Sequence, residues 1–447
     1  MHHRQALCYF VLALTPALAA AGGTQTPKPA GKDEEPVAIT ARDKEEKPVE
    51  LKRLADGEFA NFGIPATNRR GDIAFLGRFM LADAPGGSSQ AIFLKTAEGK
   101  WQAIRLGDRA ENLKEPVIGF TNPTLNDNGE VTFIAPIGAP EKPATDSSPK
   151  GASGNGVFMK TAAGLKNLSH YGQEVPNMPS RFSGFANVSS SAKGVIAFIG
   201  TYSDPDGKGL FVYDEGGLTL VVRSGQKIAP GATEVFSEHY YPSTVNERGE
   251  IAFFARISGG GGVFLKSAAG VEAVAIQGKA SPIAGANYLG FGNRAPALSD
   301  NGEVVFAGFY DGPNAGRGLF IKSPGRPVSV VAKTGDPILG SAATLTDFLT
   351  PAINGRGEIA FYGNYGGRNR GIFLKTAKGI EAVALMEQQV PGAEKGEIFN
   401  NFTAPALGER GEVIFYAQYK SGATGIFIKD AAGLKPLVVR GDKVPVK

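Results

Sequence analysis

The sequence predicts an all-β protein, a β-propeller of seven blades with four antiparallel strands in each. Two short motifs, each present seven times, predict this fold. The first is a glycine that opens a strand ending in phenylalanine, as in GEIAF, and its glycines are Gly71, Gly129, Gly194, Gly249, Gly302, Gly357 and Gly411. The second is a shorter strand such as GIFLK, and its phenylalanines are Phe93, Phe158, Phe211, Phe264, Phe320, Phe373 and Phe427. Short strands recurring every 53 to 65 residues are typical of propeller blades and not of helical repeats.

Each unit contains four short strands. A segment such as residues 348–354 forms the first, the two motifs form the second and third, and a V-V-R-x-G run such as residues 437–441 forms the fourth. The Asn-x-x-Gly corner between the first and second strands suits a tight hairpin, because glycine accepts the positive φ that such turns require.

The second strand predicts how the blades pack. Two residues after its phenylalanine the side chain is small in every unit, and four residues after it the side chain is large. Alternate residues of a strand share a face, so these positions form one row against the neighbouring blade. For closure of the ring, residues 49–54 and 438–444 both resemble fourth strands, which suggests one blade built from both ends of the chain.

The N-terminal residues are predicted to be an export signal followed by a linker. Residues 1–21 combine Arg4, an apolar run and small residues suited to cleavage, the pattern of a signal peptide. Residues 22–48 are rich in Pro, Lys, Glu and Asp and lack aromatic residues, which predicts a disordered linker. The propeller is expected to span residues 49–447, and the protein is expected to be exported, to the periplasm or outside the cell. The apolar run is too short for a membrane span.

The repeat resembles that of a family of uncharacterised secreted bacterial propeller proteins, defined by an Asn-x-x-Gly-Glu-x-x-Phe hairpin. The resemblance covers roughly residues 49–447. It implies the fold and an exported location, and it brings neither a reaction nor a set of site residues. Sequence signatures of other propeller families are missing, since the chain has one tryptophan, Trp101, and lacks the kelch double-glycine pattern.

Residues that would carry metal or nucleophilic chemistry are scarce. Cys8, the single cysteine, lies within the predicted signal peptide, and only His170 and His239 remain after it. We therefore expect no metal site and no cofactor. Residues 126–129 and 204–207 resemble fragments of calcium loops but lack the distal glutamate. Charges of both signs are interspersed, so no nucleic-acid surface is expected.

Two recurring side-chain types offer structural and functional readings. The acid after the repeat glycine, as in Glu358, is expected to cap its own hairpin. The large position of the second strand is tyrosine in four units, and an aromatic row could stack on a sugar or peptide or simply fill the interblade core. The candidate ligand-binding residues are Tyr202, Tyr310, Tyr365 and Tyr419.

The sequence supports two hypotheses for function. The first is an exported, non-enzymatic binding or scaffold propeller that engages a protein or glycan through one face. The alternative is a carbohydrate-active hydrolase or lyase with carboxylate and tyrosine chemistry in the central channel. Acids gathered with Arg or Tyr in the channel mouth would favour the enzyme, and a channel lined by repeat-equivalent residues would favour the scaffold. Long loops near residues 82–90 and 139–155 offer either a binding face or tolerated insertions.

Overall fold

The computed structural model describes residues 57–445 except 82–86, 139–151, 204–205 and 293. The chain divides into two units, Met1–Val49 and Glu50–Lys447, and every described residue belongs to the second. The predicted signal peptide (1–21), linker (22–48) and end strand (49–54) lie outside the described residues, as does most of the longer insertion.

The described residues form 31 strands, numbered here in chain order. Those of blades 1 to 3 are β1 (Glu58–Phe62), β2 (Ala66–Thr67), β3 (Ile73–Met80), β4 (Ser88–Lys95) and β5 (Trp101–Arg105); β6 (Thr124–Leu125), β7 (Val131–Gly138), β8 (Ala152–Lys160) and β9 (Leu165–His170); and β10 (Arg181–Ser190), β11 (Ile196–Ser203), β12 (Gly207–Asp214) and β13 (Gly217–Arg223). Those of blades 4 and 5 are β14 (Phe236–Val245), β15 (Ile251–Ile257), β16 (Gly260–Ser267) and β17 (Gly270–Ile276); and β18 (Tyr288–Gly290), β19 (Ala297–Leu298), β20 (Val304–Tyr310), β21 (Gly316–Lys322) and β22 (Ser329–Lys333). Those of blades 6 and 7 are β23 (Leu345–Ile353), β24 (Ile359–Tyr365), β25 (Asn369–Thr376) and β26 (Gly379–Leu385); and β27 (Phe399–Phe402), β28 (Ala406–Leu407), β29 (Val413–Tyr419), β30 (Thr424–Asp430) and β31 (Gly433–Val439).

These strands make seven antiparallel sheets, each a simple meander, and together they form a seven-bladed β-propeller. The predicted fold and the predicted four strands of each unit are confirmed. In blades 1, 5 and 7 the first strand is split in two, as β1/β2, β18/β19 and β27/β28. A proline stands in each gap (Pro65, Pro296 and Pro405), but Pro351 holds the same repeat position within the continuous β23, so proline alone does not split the strand.

The first strands line the centre of the ring. Their inner halves contact one another in the unbroken order β2, β6, β10, β14, β19, β23, β28 and back to β2. We call the end with the seven turns between first and second strands the hairpin face. The opposite end, where second strands lead to third strands and each blade passes to the next, is the loop face.

The core lies between the blades, and each hydrophobic cluster joins residues of two neighbours. The predicted row of large and small residues on the second strand is confirmed. A methyl group added to Gly200 would lie only 2.6 Å from Phe182 and 2.8 Å from Phe211. The small residue therefore makes room for two aromatic rings, which bury large apolar area at each junction.

The ring closes in the same way as consecutive blades join. After each fourth strand two backbone hydrogen bonds reach the start of the next first strand, as from Gly335 N–H to Leu345 O (2.9 Å) and back to Asp336 O (3.0 Å). Between the two ends of the propeller the equivalent bonds join Phe59 to Gly441 (2.8 Å) and Asp442 (3.0 Å). Every blade is built from one continuous stretch of chain, so the expectation of a blade of mixed origin is wrong for the described residues.

Candidate functional site

Six of the seven turns on the hairpin face are held by the side chain at their first position; in blade 7 this position is Gly408. In blade 6 this is the buried Asn354, whose Oδ1 accepts the N–H groups of Arg356 and Glu358 (both 3.1 Å). Its Nδ2 donates to Glu358 Oε2 (2.8 Å), and Gly357 has a φ of 75°, where glycine is favoured. Equivalent amide-to-carboxylate bonds join Asn68 to Asp72, Asn126 to Glu130 and Asn246 to Glu250. The recurring acids therefore cap their own hairpins, as predicted.

Turns of neighbouring blades are also joined by hydrogen bonds. At the second turn position a carboxylate accepts the backbone N–H of the preceding blade's turn. Asp127 accepts from Arg69 (2.9 Å), Asp300 accepts from Glu247 (2.9 Å), and Glu409 accepts from Gly355 (3.0 Å). The polar groups of this face thus satisfy each other through repeat-equivalent bonds.

Arg69 crosses the channel at the hairpin face. Its Nε lies 3.1 Å from Asp127 Oδ2, its Nη2 lies 3.1 Å from Asp300 Oδ2, and Nη2 also pairs with Glu247. Blades 4 and 5, which carry Glu247 and Asp300, are the most distant from blade 1 in a ring of seven. Burial alone would lower the pKa of Arg69, but the hydrogen bond to Glu247 and the charges of Asp300 and Asp127 raise it. One guanidinium therefore forms ion pairs with carboxylates from three other blades.

On the loop face, polar residues occupy a bulge in the first strand. Asn61, Asp347 and Asn401 hold the same position, two residues after the first aromatic or leucine of that strand, and the register shifts there. Asn61 accepts from Tyr416 (3.3 Å) of the preceding blade, and Asn401 accepts from Arg370 (2.9 Å). Glycine takes this position in blades 3 and 5, so the seams between blades differ around the ring.

The most distinctive seam joins blades 5 and 6. Phe309, half-buried, lies between two guanidinium groups, with Arg317 Cζ at 5.2 Å and Arg294 Cζ at 5.9 Å from its ring centroid. Arg317 forms an ion pair with Asp347, and Arg294 Nη1 donates to the carbonyl of Phe348 (2.6 Å). We call Arg294, Phe309 and Arg317 the Arg-Phe-Arg cluster. Such an arrangement suits recognition of an anion beside an apolar surface.

Sequence reasoning missed this cluster, although a signal for it was present. Three residues after the second-strand phenylalanine, blade 5 alone has an aromatic residue, Phe309. The other blades have Arg78, Pro136, Thr201, Arg256, Asn364 and Gln418 at that position. An aromatic side chain at this position departs from the repeat, and aligning the seven units by this position would have shown it.

The four candidate tyrosines lie in the blade cores. Tyr202, Tyr310 and Tyr419 are buried and Tyr365 is half-buried. Each ring packs against the third-strand phenylalanine of its own blade, at centroid distances of 6.5, 6.3, 6.0 and 5.9 Å in that order. Tyr365 also donates its hydroxyl to Met386 O (3.4 Å). The structure thus gives these rings a packing role, and ligand binding through them stays a prediction.

Of the two histidines, only His170 has a described side chain. His170 Nδ1 lies 2.9 Å from Asn167 Oδ1, and the side chain of His239 is outside the described set. In the part of the chain that the structure describes, no group of three or more His, Cys, Asp or Glu residues is placed to hold a metal ion. The same residues include no helix that is long and apolar enough to cross a membrane.

The fold and its polar clusters define a seven-bladed β-propeller. On the hairpin face polar groups of neighbouring turns hydrogen-bond to one another. On the loop face equivalent positions of the blades carry different residues. The sequence matches the model of a family of unknown function, DUF7453, twice, over residues 31–262 and 203–380. The chain belongs to this family. No curated protein matches the sequence.

Among solved structures, the chain is similar to the acylaminoacyl peptidase of Pyrococcus horikoshii, with 10% identity, a TM-score of 0.48, and coverage of 87% of this chain and 53% of that one. It therefore spans about half the length of that peptidase. It is also similar to the Aleuria aurantia lectin in complex with alpha-methyl-L-fucoside, with 11% identity, a TM-score of 0.32, and coverage of 76% and 99%. Similarity at this level carries no inference about function.

Proposed function

We propose that the chain is an exported, non-enzymatic binding propeller that engages a protein or glycan partner through its loop face. The observation that carries this proposal is the location of exposed apolar side chains. Among the described residues, four of the seven large hydrophobic side chains that are exposed stand on the loop face: Met80, Leu106, Tyr171 and Leu289. Exposed apolar groups together with placed charges are typical of interaction surfaces.

The hairpin face has fewer polar groups available to bind a partner than the loop face. Three of its carboxylates accept backbone N–H groups. Arg69 forms ion pairs with two of these and with Glu247. Breaking these bonds to bind a ligand would cost the hydrogen bonds that join the blades. This contrast between the faces supports binding on the loop face.

The hydrolase or lyase alternative rests on the acids that gather with Arg69 in the channel mouth. A paired-carboxylate mechanism needs one carboxylic acid that stays protonated and a second that acts as base or nucleophile. Asp127, Glu247 and Asp300 instead all contact one guanidinium, and Asp127 and Asp300 also accept backbone N–H groups of the neighbouring turns. The arrangement therefore supports a structural role for this cluster more than a catalytic one.

The test is binding of the purified protein to an array of neutral and acidic glycans and peptidoglycan fragments. A loop-face variant, Leu289→Ser with Leu106→Ser, is compared with Lys193→Ser, an exposed change on the hairpin face. Saturable binding that is lost only in the loop-face variant supports the proposal. Binding lost through Lys193→Ser, or release of new reducing ends from a bound polysaccharide, overturns it.

The tyrosine hypothesis is tested in the same assay by a variant with phenylalanine at all four positions. Phenylalanine keeps the aromatic packing of Tyr202, Tyr310, Tyr365 and Tyr419 and removes only the hydroxyl groups. Weaker binding by a folded variant assigns the hydroxyls to the ligand, and unchanged binding leaves the rings as core. Export is tested separately, by the N-terminal residue of the protein recovered from the host periplasm or medium.

A further inference from the structure

We infer that the crevice between blades 4 and 5, at the outer rim of the ring, binds an extended peptide segment of a partner protein that carries an apolar side chain beside an acidic one. This inference goes beyond the proposed function, because the crevice lies at the rim and not on the loop face. The crevice has a volume of about 470 Å³. It is lined by the outer strand of blade 4 (β17), the connection to blade 5, and residues 327–328 before the outer strand of blade 5 (β22).

A departure from the repeat opens this crevice. Three residues after the glycine that follows each fourth strand (Glu387 in blade 6), the connection places an apolar side chain between two blades in six of the seven seams. Those side chains are Ala110, Val175, Ile228, Ile338, Val390 and Val444, and all but Ile228 are buried. The connection from blade 4 to blade 5 has the half-buried Ser281 instead, which lines the crevice. Its Oγ donates to Ala286 O (3.0 Å) and accepts the N–H of Ile283 (3.2 Å), both within its own loop. A partner's apolar side chain can occupy the space that valine or isoleucine fills elsewhere.

The wall on the blade 4 side is the edge of a strand. Four successive residues of β17, Ala273 to Ile276, line the crevice. Because successive side chains of a strand point to opposite faces, a crevice lined by all four follows the strand edge. β17 is the last strand of its sheet and pairs with β16, so among the described strands its other edge has no partner. An extended peptide can add to such an edge as a further strand.

The wall on the blade 5 side offers a backbone acceptor. In the connection from blade 5 to blade 6, the N–H of Leu339 donates to Ile380 O (2.8 Å) in the outer strand of blade 6. The equivalent residues between blades 4 and 5 are Pro282 and Val328, and both line the crevice. Since proline has no N–H, the connection cannot make this bond to Val328 O. A peptide N–H can make it instead.

The charge at the crevice selects an acidic neighbour for the apolar side chain. Among the described residues that line the crevice, Lys279 is the one that carries a charge, and its side chain is exposed. Glu234 is near enough to interact with this charge. A carboxylate on the peptide beside Lys279 is therefore expected to add a few-fold in affinity and no more.

The test begins with random nonapeptides displayed on phage and selected on the full-length protein. Enriched peptides are synthesised, and their affinity is measured by fluorescence anisotropy. We expect a central aliphatic or aromatic residue next to aspartate or glutamate. Alanine at the central position should weaken binding roughly tenfold or more, because the crevice stays unfilled. N-methylation of the backbone nitrogens around that residue should weaken it roughly five- to tenfold, because it removes the N–H donors that pair with the walls.

Ser281→Val restores the residue type of the other seams and fills the crevice. The variant should fold, which circular dichroism and urea denaturation check, and should bind the peptides roughly tenfold or more weakly. Ser341→Val, the same change at an exposed serine in the connection between blades 5 and 6, should leave the affinity unchanged. Lys279→Gln should lower the affinity roughly two- to fivefold at low salt and less at high salt.

The outcomes separate this inference from the proposed function. The inference is overturned if no peptide is enriched, if folded Ser281→Val binds as well as wild type, or if N-methylated peptides bind as well as their parents. None of these results affects the glycan test of the loop face. Peptide binding that is kept in Ser281→Val but lost in the Leu289→Ser, Leu106→Ser variant places the peptide on the loop face. That result supports the proposed function and overturns the rim site.

Discussion

Replacing Tyr288 by phenylalanine should raise the free energy of unfolding, although the change removes a polar group. Tyr288 begins the first strand of blade 5 and is 3% exposed, and its buried hydroxyl has no hydrogen-bond partner among the described residues. Its ring packs against Phe291 and Phe320 at centroid distances of 5.2 and 5.3 Å. Phenylalanine can keep these contacts, and it occupies the equivalent position in other blades at Phe59, Phe182, Phe236 and Phe399.

The expected gain in the free energy of unfolding follows from the buried Tyr288 hydroxyl, which has no hydrogen-bond partner among the described residues. A buried polar group without a partner costs about 1–3 kcal/mol, so Tyr288→Phe should add about 1–2 kcal/mol at neutral pH. Burial also raises the pKa of Tyr288 well above its ordinary value of 10.0. The folded state therefore resists ionisation of this hydroxyl while the unfolded state ionises freely above about pH 10. Wild-type stability should fall above that pH, and the advantage of the variant should grow.

The assay is guanidinium denaturation followed by circular dichroism and by the fluorescence of Trp101, the single tryptophan. A higher midpoint with an unchanged slope reports a gain in stability. Tyr310→Phe is the control, because Tyr310 is equally buried in the same blade but its hydroxyl is not stranded. No gain in Tyr288→Phe, or a loss, would refute the reasoning. It would mean that the hydroxyl is hydrated from the adjoining crevice of about 470 Å³ between blades 4 and 5.

Four further variants test other parts of the argument. Burial raises the pKa of Tyr419 to about 12, so wild type should lose up to roughly 3 kcal/mol as pH rises from about 10 to 12; Tyr419→Phe should not, and parallel pH profiles of the two denaturation midpoints would contradict this. Asn354→Ala strands two N–H groups of its hairpin and should cost about 2–4 kcal/mol, whereas Asn354→Ser should cost less because serine fills this position in blade 5; equal urea midpoints would contradict the capping role. Gly200→Ala brings a methyl group to 2.6 Å from an aromatic ring and should cost about 1–3 kcal/mol, while Gly308→Ala, at 3.2 Å, should cost less; thermal unfolding decides the order. Arg69→Met leaves three acids facing one another and should cost about 1 kcal/mol at low salt and less at high salt; a loss that ignores salt would rule out the electrostatic explanation.

Much of the fold could be predicted from the sequence because the same local pattern recurs in seven units. The strand-turn-strand around Asn354 and Gly357 is set by a side chain that satisfies its own turn and by a glycine that accepts positive φ. The alternation of Phe198, Gly200 and Tyr202 puts all three on one face of a strand. These are effects of near neighbours in the sequence, and a repeat makes them visible.

Among the described residues, the ring closes without the predicted blade of mixed origin, because closure depends on long-range geometry. Residues 438 and 439 do end a fourth strand, and Gly441 and Asp442 after it pair with Phe59 by the same two bonds used at other junctions. Nothing in the spacing of the units distinguishes that arrangement from a blade of mixed origin. The three-dimensional position of the last strand decides it.

The sequence by itself determined the class of architecture, the number of blades and the residues that build the interblade core, because these depend on periodicity and on neighbours a few positions apart. Only the tertiary structure decided which residues from different blades meet. Arg69 reaches Glu247 and Asp300 across the channel, and Arg294 reaches the backbone of Phe348 in the next blade. These contacts join residues that are 54 to 231 positions apart (348 − 294 and 300 − 69), and they depend on where the closed ring places the residues.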